Sequence, residues 1–234
     1  MRVWGVVPAA GIGRRMGKGD PKQYREAAGA PILIHTLRTL LDSKAVEGIT
    51  VAVEKDFIDR AGKLVIEYLG DRAPVSFVVG GATRQQSVYR ALISLRDADV
   101  QIVVIHDAAR PLVTGAIIRN AVDAARHHGA AVATIPATEA SCLADDGLIA
   151  EYIDRRRHMT IQTPQAFCYD LIIKAHEQAT VAGITDAVDD GILVLRVGGE
   201  VSVFAGSPQN IKVTYEGDIT KLSGMATGGK QHGA

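Results

Sequence analysis

The sequence predicts an α/β protein with a mostly parallel central sheet and helices on both faces. Three observations favour this fold class. Short apolar runs alternate along the chain with segments of helical periodicity, and glycine or proline separates most of them. One run, Ile102 to Ile105, is continuously apolar, which is typical of a strand buried on both faces of a sheet.

The elements of the first half are recognised by their periodicity and by the residues that end them. Pro31 suits the first turn of a helix, and Thr83 is a suitable N-cap. Gly48, Gly70 and Gly80 separate successive elements. Strands are predicted at residues 3–7, 49–53, 74–79 and 102–105, and helices at residues 31–41, 55–69 and 83–95.

In the second half, Thr114 caps a helix that ends near Gly129. The alternation lapses between Thr138 and Gln165, so we expect an arm at about residues 137–163 that projects from the sheet and makes a dimer contact. Strands are predicted at residues 130–135, 148–153, 158–162 and 201–205, and helices at residues 169–182, 187–195 and 215–225. Residues 1–234 show no linker and are predicted to form a single domain.

The composition is that of an ordinary globular protein, with 47% hydrophobic and 22% charged residues and a formal net charge of zero. Without net charge, no global field recruits nucleic acid or an anionic membrane, so we expect neither as a partner. Cys142 and Cys168 are too few for a disulfide framework, and the sequence has no signal-peptide layout and no apolar stretch of membrane-spanning length. The expected location is the reducing cytoplasm.

The most informative stretch follows the first strand. At Pro8 the apolar run breaks into a loop of small residues, 9–13, whose backbone N–H groups can approach a ligand closely. Arg14, Arg15 and Lys22 follow within reach of this loop. Exposed amides and cations at the end of a strand suit a polyphosphate, and a structural turn with solvated cations is the alternative.

Two familiar nucleotide-binding motifs do not fit this loop. A dinucleotide fingerprint requires a small residue where Met16 stands and an acidic residue about twenty positions further on, which is missing here. A phosphate-loop NTPase requires a lysine followed by serine or threonine, which residues 11–16 do not supply. A dinucleotide-dependent oxidoreductase is therefore disfavoured.

Because the carboxyl ends of parallel strands meet at one edge of a sheet, the loops that begin at Pro8, Gly80, His106 and Pro136 should lie together. Asp107 emerges from the most apolar strand, where an acid is costly unless it is paired or bound to metal. Asp107 is therefore a candidate ligand of Mg²⁺ or of substrate hydroxyls, and Arg110 of a phosphate. An internal Asp107–Arg110 ion pair is the alternative, and His106 is predicted to be a packed histidine.

Two other basic stretches are candidates for the same site. Lys212 lies on a strand-to-helix loop predicted at the ligand edge, and a site role is favoured over a solvated lysine. Residues 155–157 are three arginines on the arm. Such a charge run is usually a solvated face, but on a dimer arm it can reach a phosphate in the partner's site.

Together these stretches resemble one family, the 2-C-methyl-D-erythritol 4-phosphate cytidylyltransferases of isoprenoid precursor biosynthesis. Each matching piece is short, but the set is specific and follows the family's order along nearly the whole chain. The pieces are Val7 to Met16, Pro21 to Tyr24, Gly80 to Val88, Val104 to Pro111, Asp154-Arg155, Thr163 to Gln165, Thr185-Asp186 and Asn210 to Thr214.

The resemblance implies a Rossmann-like nucleotidyltransferase that transfers cytidylate from CTP to the sugar phosphate, with Mg²⁺ on the triphosphate and pyrophosphate leaving. It implies that Arg15 and Lys22 act on the CTP phosphates as the catalytic residues. CTP would be bound by Pro8, Ala9, Ala10, Gly11, Gly13, Gly81, Ala82 and Ser87. The sugar phosphate would be bound by Asp107, Arg110, Arg155, Thr163 and Lys212, of which Arg155 and Thr163 come from the arm of the partner in a homodimer.

The chain departs from the family at positions implied to contact the acceptor. Ala140 stands where the family usually has threonine, and Ala187 follows Thr185-Asp186 where an acid is more usual. A lost hydrogen bond to a charged ligand costs about 1.5–3 kcal/mol, which would weaken an acceptor contact without preventing catalysis. The alternatives are therefore a cytidylyltransferase for another polyol phosphate, such as ribitol 5-phosphate, and a catalytically silent nucleotide-binding homologue.

Overall fold

The computed structural model describes residues 1–11, 20–220 and 222, and its centre is a seven-stranded sheet. The strands of the chain are β1 (Val3–Pro8), β2 (Glu26–Ala27), β3 (Ala30–Pro31), β4 (Gly48–Val53), β5 (Val75–Val79), β6 (Ile102–Ile105), β7 (Ala130–Pro136), β8 (Cys142–Asp145), β9 (Leu148–Tyr152), β10 (Met159–Cys168) and β11 (Ser202–Ala205). The helices are α1 (Ile32–Asp42), α2 (Ile58–Leu69), α3 (Arg84–Ile93), α4 (Gly115–His128), α5 (Tyr169–Val181) and α6 (Gly191–Arg196). Short 3₁₀ turns lie at Lys22–Tyr24, Lys55–Phe57 and Arg155–Arg157, and residues 216–220 and 222 are helical.

The strand order of the central sheet is β11-β7-β10-β6-β1-β4-β5, and its neighbouring strands are parallel except where β10 is involved. The predicted mostly parallel sheet is therefore confirmed. β10 runs antiparallel between β6 and β7 and continues to Cys168, beyond the strand predicted at residues 158–162. The sequence did not predict this continuation, because it contains Pro164 and proline is rare inside a sheet. The structure accommodates it where the β10–β7 register shifts between Ile161 and Gln165.

Apolar clusters cover both faces of the sheet. Side chains of α1, α2 and α4 contribute to one cluster, and those of α3, α5 and α6 contribute to the other. The strands supply both clusters because successive residues of a strand point to opposite faces. Val7 belongs to the first cluster and its neighbour Val6 to the second. The prediction of helices on both faces is confirmed.

The arm is built on a hairpin of β8 and β9. Sequence patterning predicted β9 but not β8, because Cys142–Asp145 lies in a polar, turn-rich stretch. From Met159 onward the chain pairs with β7 in the central sheet. Thr163, expected on the arm, therefore lies in the sheet.

Two further elements differ in extent from the sequence prediction. α6 begins at Gly191, whereas the apolar periodicity suggested a start at residue 187. β2 and β3 form a small hairpin before α1 that residue patterning did not predict. Among the described residues, no helix combines the length and apolar character that crossing a membrane requires.

Gly48 and Gly62 give a matched test of the packing. A Cβ at Gly48 would lie 2.4 Å from Cη2 of Trp4, whereas at Gly62, inside α2, no described atom beyond its own helix backbone lies within 4 Å. We expect Gly48→Ala to lower the free energy of unfolding by about 1–3 kcal/mol through overpacking. Gly62→Ala should raise it by about 0.5–1 kcal/mol. Urea denaturation measures both, and an unchanged stability of Gly48→Ala would contradict the close β1–β4 packing.

Candidate active site

A cavity of about 680 Å³ opens at the carboxyl ends of β1, β4, β5 and β6. This is the edge at which the sequence predicts ligand binding. Of the predicted site residues, its walls contain Pro8, Ala9, Ala10, Gly11, Lys22, Gly81, Ala82, Ser87, Asp107 and Lys212. Gly13 and Arg15 lie outside the described residues.

The loop after β1 is tied down by a buried amide. Nε2 of Gln23 donates to the carbonyls of Ala9 at 2.6 Å and of Gly11 at 3.1 Å. The N–H of Ala9 donates to the carbonyl of Ala52 at 2.7 Å. These bonds fix the backbone on one wall of the cavity. Gln23 belongs to the matched stretch Pro21 to Tyr24, but the sequence analysis assigned it no role.

The loop after β5 requires glycine because backbone elements approach closely there. A Cβ at Gly80 would lie 2.3 Å from the Cβ of Ala10, and one at Gly81 would lie 2.3 Å from the Cβ of Gln86. The N–H of Gly81 donates to Oγ of Ser87 at 3.1 Å. The glycines thus bring the β1 loop and the start of α3 together around the cavity.

Asp107 lies at the centre of a cluster of cations. Its Oδ2 is 2.7 Å from Nζ of Lys212, and its Oδ1 accepts from Nε of Arg84 at 3.0 Å. The ion pair with Arg110, which the sequence analysis held as the alternative, is present but longer, with Nε of Arg110 3.9 Å from Oδ2. Burial alone would raise the pKa of the Asp107 carboxyl, but the charges of Arg84 and Lys212 outweigh it and hold that pKa well below its usual range. Asp107 is therefore a fixed anion.

His106 is fully buried, as a packed histidine should be, and burial lowers its pKa to about 4. A neutral ring carries one N–H, and Nε2 lies 3.1 Å from the carbonyl of Arg110, which can only accept, so the proton is on Nε2. Nδ1 then accepts from the hydroxyl of Thr163 at 3.0 Å, and the Asp107 N–H donates to that hydroxyl oxygen at 3.1 Å. Thr163 thus orients Asp107 of its own chain, which differs from its expected place on a partner's arm.

A smaller cavity of about 230 Å³ adjoins this cluster. The sequence predicted Arg110, Thr163, Asp107 and Lys212 as acceptor-binding residues, and all four line it. Arg84, Asp107 and Lys212 line the larger cavity as well. These three side chains form what we call the shared wall.

Residues 185–190 contribute to the smaller cavity, although the sequence analysis assigned them no site role. The stretch Thr185-Asp186 was matched to the family, but in the described structure the residues of this segment that line the smaller cavity are Val188 and Asp189. Asp190 lies deeper and is fully buried. Of these two acids, only Asp189 lines a described cavity wall.

Among the described residues, Arg155 does not line either cavity. It begins the exposed turn Arg155–Arg157 beside the arm. The next residue, Arg156, pairs with Asp154 at 3.0 Å.

Arg84 is the main site residue to which the sequence analysis assigned no role. It lies within the matched stretch Gly80 to Val88 and is the first residue of α3, where a cation opposes the helix dipole. That placement was the available signal. Its second acidic partner, Asp190, is 106 positions away, so no local spacing could reveal the pair.

The chain is similar to known proteins along most of its length. The family model described as 2-C-methyl-D-erythritol 4-phosphate cytidylyltransferase (IspD) matches residues 3–225. A relative of that name from Acidobacterium capsulatum is 40% identical over 228 residues, which cover 94% of this chain and 95% of the relative. Another from Pelotomaculum thermopropionicum is 40% identical over 220 residues, covering 94% and 92%.

Two solved structures share the fold. The 4-diphosphocytidyl-2C-methyl-D-erythritol synthase of Anaerococcus prevotii has a TM-score of 0.84 and 26% identity, over 97% of this chain and 98% of that chain. The 2-C-methyl-D-erythritol 4-phosphate cytidylyltransferase of Thermus thermophilus has a TM-score of 0.77 and 28% identity, over 97% and 100%. On this evidence the chain belongs to the 2-C-methyl-D-erythritol 4-phosphate cytidylyltransferase family.

Proposed function

We propose that this protein transfers the cytidylyl group of CTP to 2-C-methyl-D-erythritol 4-phosphate, forming CDP-methylerythritol and releasing pyrophosphate. One observation carries the proposal beyond family membership. Arg84, Asp107 and Lys212 line both cavities, so a nucleotide in the larger and an acceptor phosphate in the smaller would meet at one wall. The larger cavity, about 680 Å³, has the size of an ordinary small-ligand site.

In this reaction an oxygen of the acceptor phosphate attacks the α-phosphorus of CTP. The new P–O bond forms as the bond to the β-phosphate breaks, and pyrophosphate leaves with the electron pair. Because the nucleophile is already anionic, the protein must mainly position two substrates and neutralise charge. Lys22, Lys212 and Arg84 would do so from the walls of the larger cavity. Arg110, whose Nη1 donates to the Asn210 carbonyl at 2.7 Å, would hold the acceptor phosphate.

We further propose that Mg²⁺ enters with the triphosphate. Among residues 1–11, 20–220 and 222, no group of three or more His, Cys, Asp and Glu side chains is arranged to hold a metal ion. This fits an ion carried largely by substrate phosphates with one or two carboxylates, as is usual for Mg²⁺ in nucleotide sites. Asp107 would supply such a carboxylate, and the ion would offset charge developing on pyrophosphate.

We also propose a cytoplasmic homodimer formed through the arm. The hairpin presents Leu143, Leu148, Ile149 and Tyr152, and each is more than half exposed, at 54, 74, 55 and 71%. Several large apolar side chains exposed on one projecting hairpin make it a candidate interface. In such a dimer Arg155 would reach the partner's acceptor phosphate. The two free cysteines suit a reducing compartment.

Pyrophosphate release in the presence of CTP and Mg²⁺, with methylerythritol phosphate and ribitol 5-phosphate offered in parallel, tests the function. We expect release with methylerythritol phosphate, which would mean that Ala140 is a tolerated change. Release with ribitol phosphate alone would move the enzyme to a sister activity with the same CTP site. No release with either acceptor, despite CTP binding, would indicate a silent nucleotide-binding protein.

Lys22→Ala should lower kcat by about 100-fold, because a cation directed at reacting phosphates stabilises the transition state. Nζ of Lys22 also donates to the Val213 carbonyl at 2.9 Å, and loss of this bond should lower the free energy of unfolding by only about 1 kcal/mol. Lys63→Ala, at an exposed lysine of α2, is the matched control and should leave both quantities unchanged. Normal turnover of Lys22→Ala with CTP would contradict the proposal that Lys22 contacts the CTP phosphates.

Arg155→Ala should raise the acceptor KM about tenfold, equivalent to about 1.4 kcal/mol of lost binding, with kcat little changed. Arg156→Ala is the control, because that guanidinium is paired with Asp154. Steady-state kinetics at varied acceptor concentration measures both.

Hybrid dimers show whether Arg155 acts on the partner. In a hybrid of Lys22→Ala and Arg155→Ala chains, exchanged arms place both changes in one site and leave the other site intact. Activity at low acceptor concentration should therefore recover when the two variants are mixed and allowed to exchange subunits. If Arg155 served its own chain's site, every site would carry one change and no recovery would occur.

A further inference from the structure

A line of buried charges runs from the shared wall into the protein. Nε of Arg84 donates to Oδ1 of Asp107 at 3.0 Å, and Nη1 of Arg84 donates to Oδ2 of Asp190 at 2.6 Å. The other oxygen of Asp190 lies 3.1 Å from Nε2 of His176. Two acids therefore hold one guanidinium through two different nitrogens.

Asp190 belongs to the support of the site, not to its surface. It is fully buried, and the described walls of both cavities leave it out. Its N–H donates to Oε1 of Gln165 at 3.2 Å. Burial would raise the pKa of Asp190, but Arg84 and His176 outweigh it and hold that pKa below its usual value. A buried anion is thus fixed directly behind Arg84.

Arg84 occupies a position that stability alone does not favour. It stands at the first residue of α3, where the helix dipole disfavours a cation, and its side chain is only 23% exposed. Its third nitrogen, Nη2, is buried and has no hydrogen-bond partner among the described residues. A buried donor without an acceptor is unfavourable, and an oxygen of a bound ligand would satisfy it.

We propose that Arg84 is a further catalytic residue of the transfer reaction and that Asp190 is its positioning residue. Nη2 of Arg84 donates to a phosphate oxygen where the two cavities meet, while Asp107 and Asp190 fix the guanidinium plane. The inference rests on the proposed function. A lysine would not replace this arrangement, because one ammonium group cannot hold two acids and a phosphate in a fixed planar geometry.

Chemical rescue tests the proposal on the full chain. Arg84→Ala should lower kcat by about 100-fold, as loss of one preorganised donor does, with a smaller change in the KM for CTP. Guanidinium chloride, added far below denaturing concentrations, should restore part of kcat, because the carboxylates of Asp107 and Asp190 can still bind a free guanidinium ion in place of the Arg84 side chain. Wild-type kcat in a folded Arg84→Ala protein would overturn the role of Arg84.

The double variant isolates Asp190. In Arg84→Ala with Asp190→Asn, the guanidinium-binding site has lost one of its two carboxylates, so guanidinium should no longer restore kcat. Equal rescue in the single and double variants would overturn the positioning role. Asp123→Asn is the control, because Asp123 is an exposed acid that also pairs with an arginine, Arg126 at 3.1 Å, and it should leave kcat unchanged.

Folding and function are separated by two further measurements. If thermal unfolding shows that Arg84→Ala does not fold, Arg84→Lys retains a charge beside Asp190, and its kcat should still fall. Wild-type kcat in Arg84→Lys would overturn the proposal. If the wild-type protein releases no pyrophosphate from CTP, the proposed function fails and this inference falls with it; if it does and the Arg84 variants match it, only this inference fails.

Discussion

The buried carboxylate of Asp107 is the contact on which the site depends. Three cations converge on it from distant parts of the chain: Arg84 from the start of α3, Lys212 from the loop after β11, and Arg110 from the loop after β6. Burying a charge is costly unless it is paired and hydrogen-bonded, and removal of one partner leaves an uncompensated charge. The same contacts that bind these segments together therefore build the wall between the two cavities, so the fold and the proposed chemistry share one set of interactions.

This cluster also explains how an electrically neutral chain presents a site for two phosphorylated substrates. The net charge is zero, so attraction must be local. At the shared wall the Asp107 carboxylate pairs with both Arg84 and Lys212. The buried Asp190 carboxylate pairs with Arg84 as well. In the proposed reaction, incoming phosphates would replace part of the ion pairing of Lys212 and Arg110 with Asp107. The cations are positioned before the substrates arrive, which is the condition under which electrostatic stabilisation is most effective.

The sequence predicted what depends on local pattern and missed what depends on tertiary contact. Alternation of apolar strands and periodic helices was sufficient for the fold class, and the loop from Pro8 to Gly11, with Lys22, Asp107 and Lys212, was found from residue type and place. β10 was cut short because Pro164 contradicts strand patterning, and only the register shift of the folded sheet accommodates it. Arg84 and Asp190 are 106 positions apart in the sequence, and Thr163 and His106 are 57 positions apart. Residue spacing along the chain therefore could not predict either contact.

The central claim is that an oxygen of the acceptor phosphate attacks the α-phosphorus of CTP directly and displaces pyrophosphate. Phosphorus NMR of the product formed from methylerythritol phosphate carrying ¹⁸O in its phosphate group tests this most directly. The account predicts CDP-methylerythritol with ¹⁸O in the bridge between its two phosphorus atoms, and unlabelled pyrophosphate. Label in the pyrophosphate, or CMP and pyrophosphate without a coupled product, would contradict it.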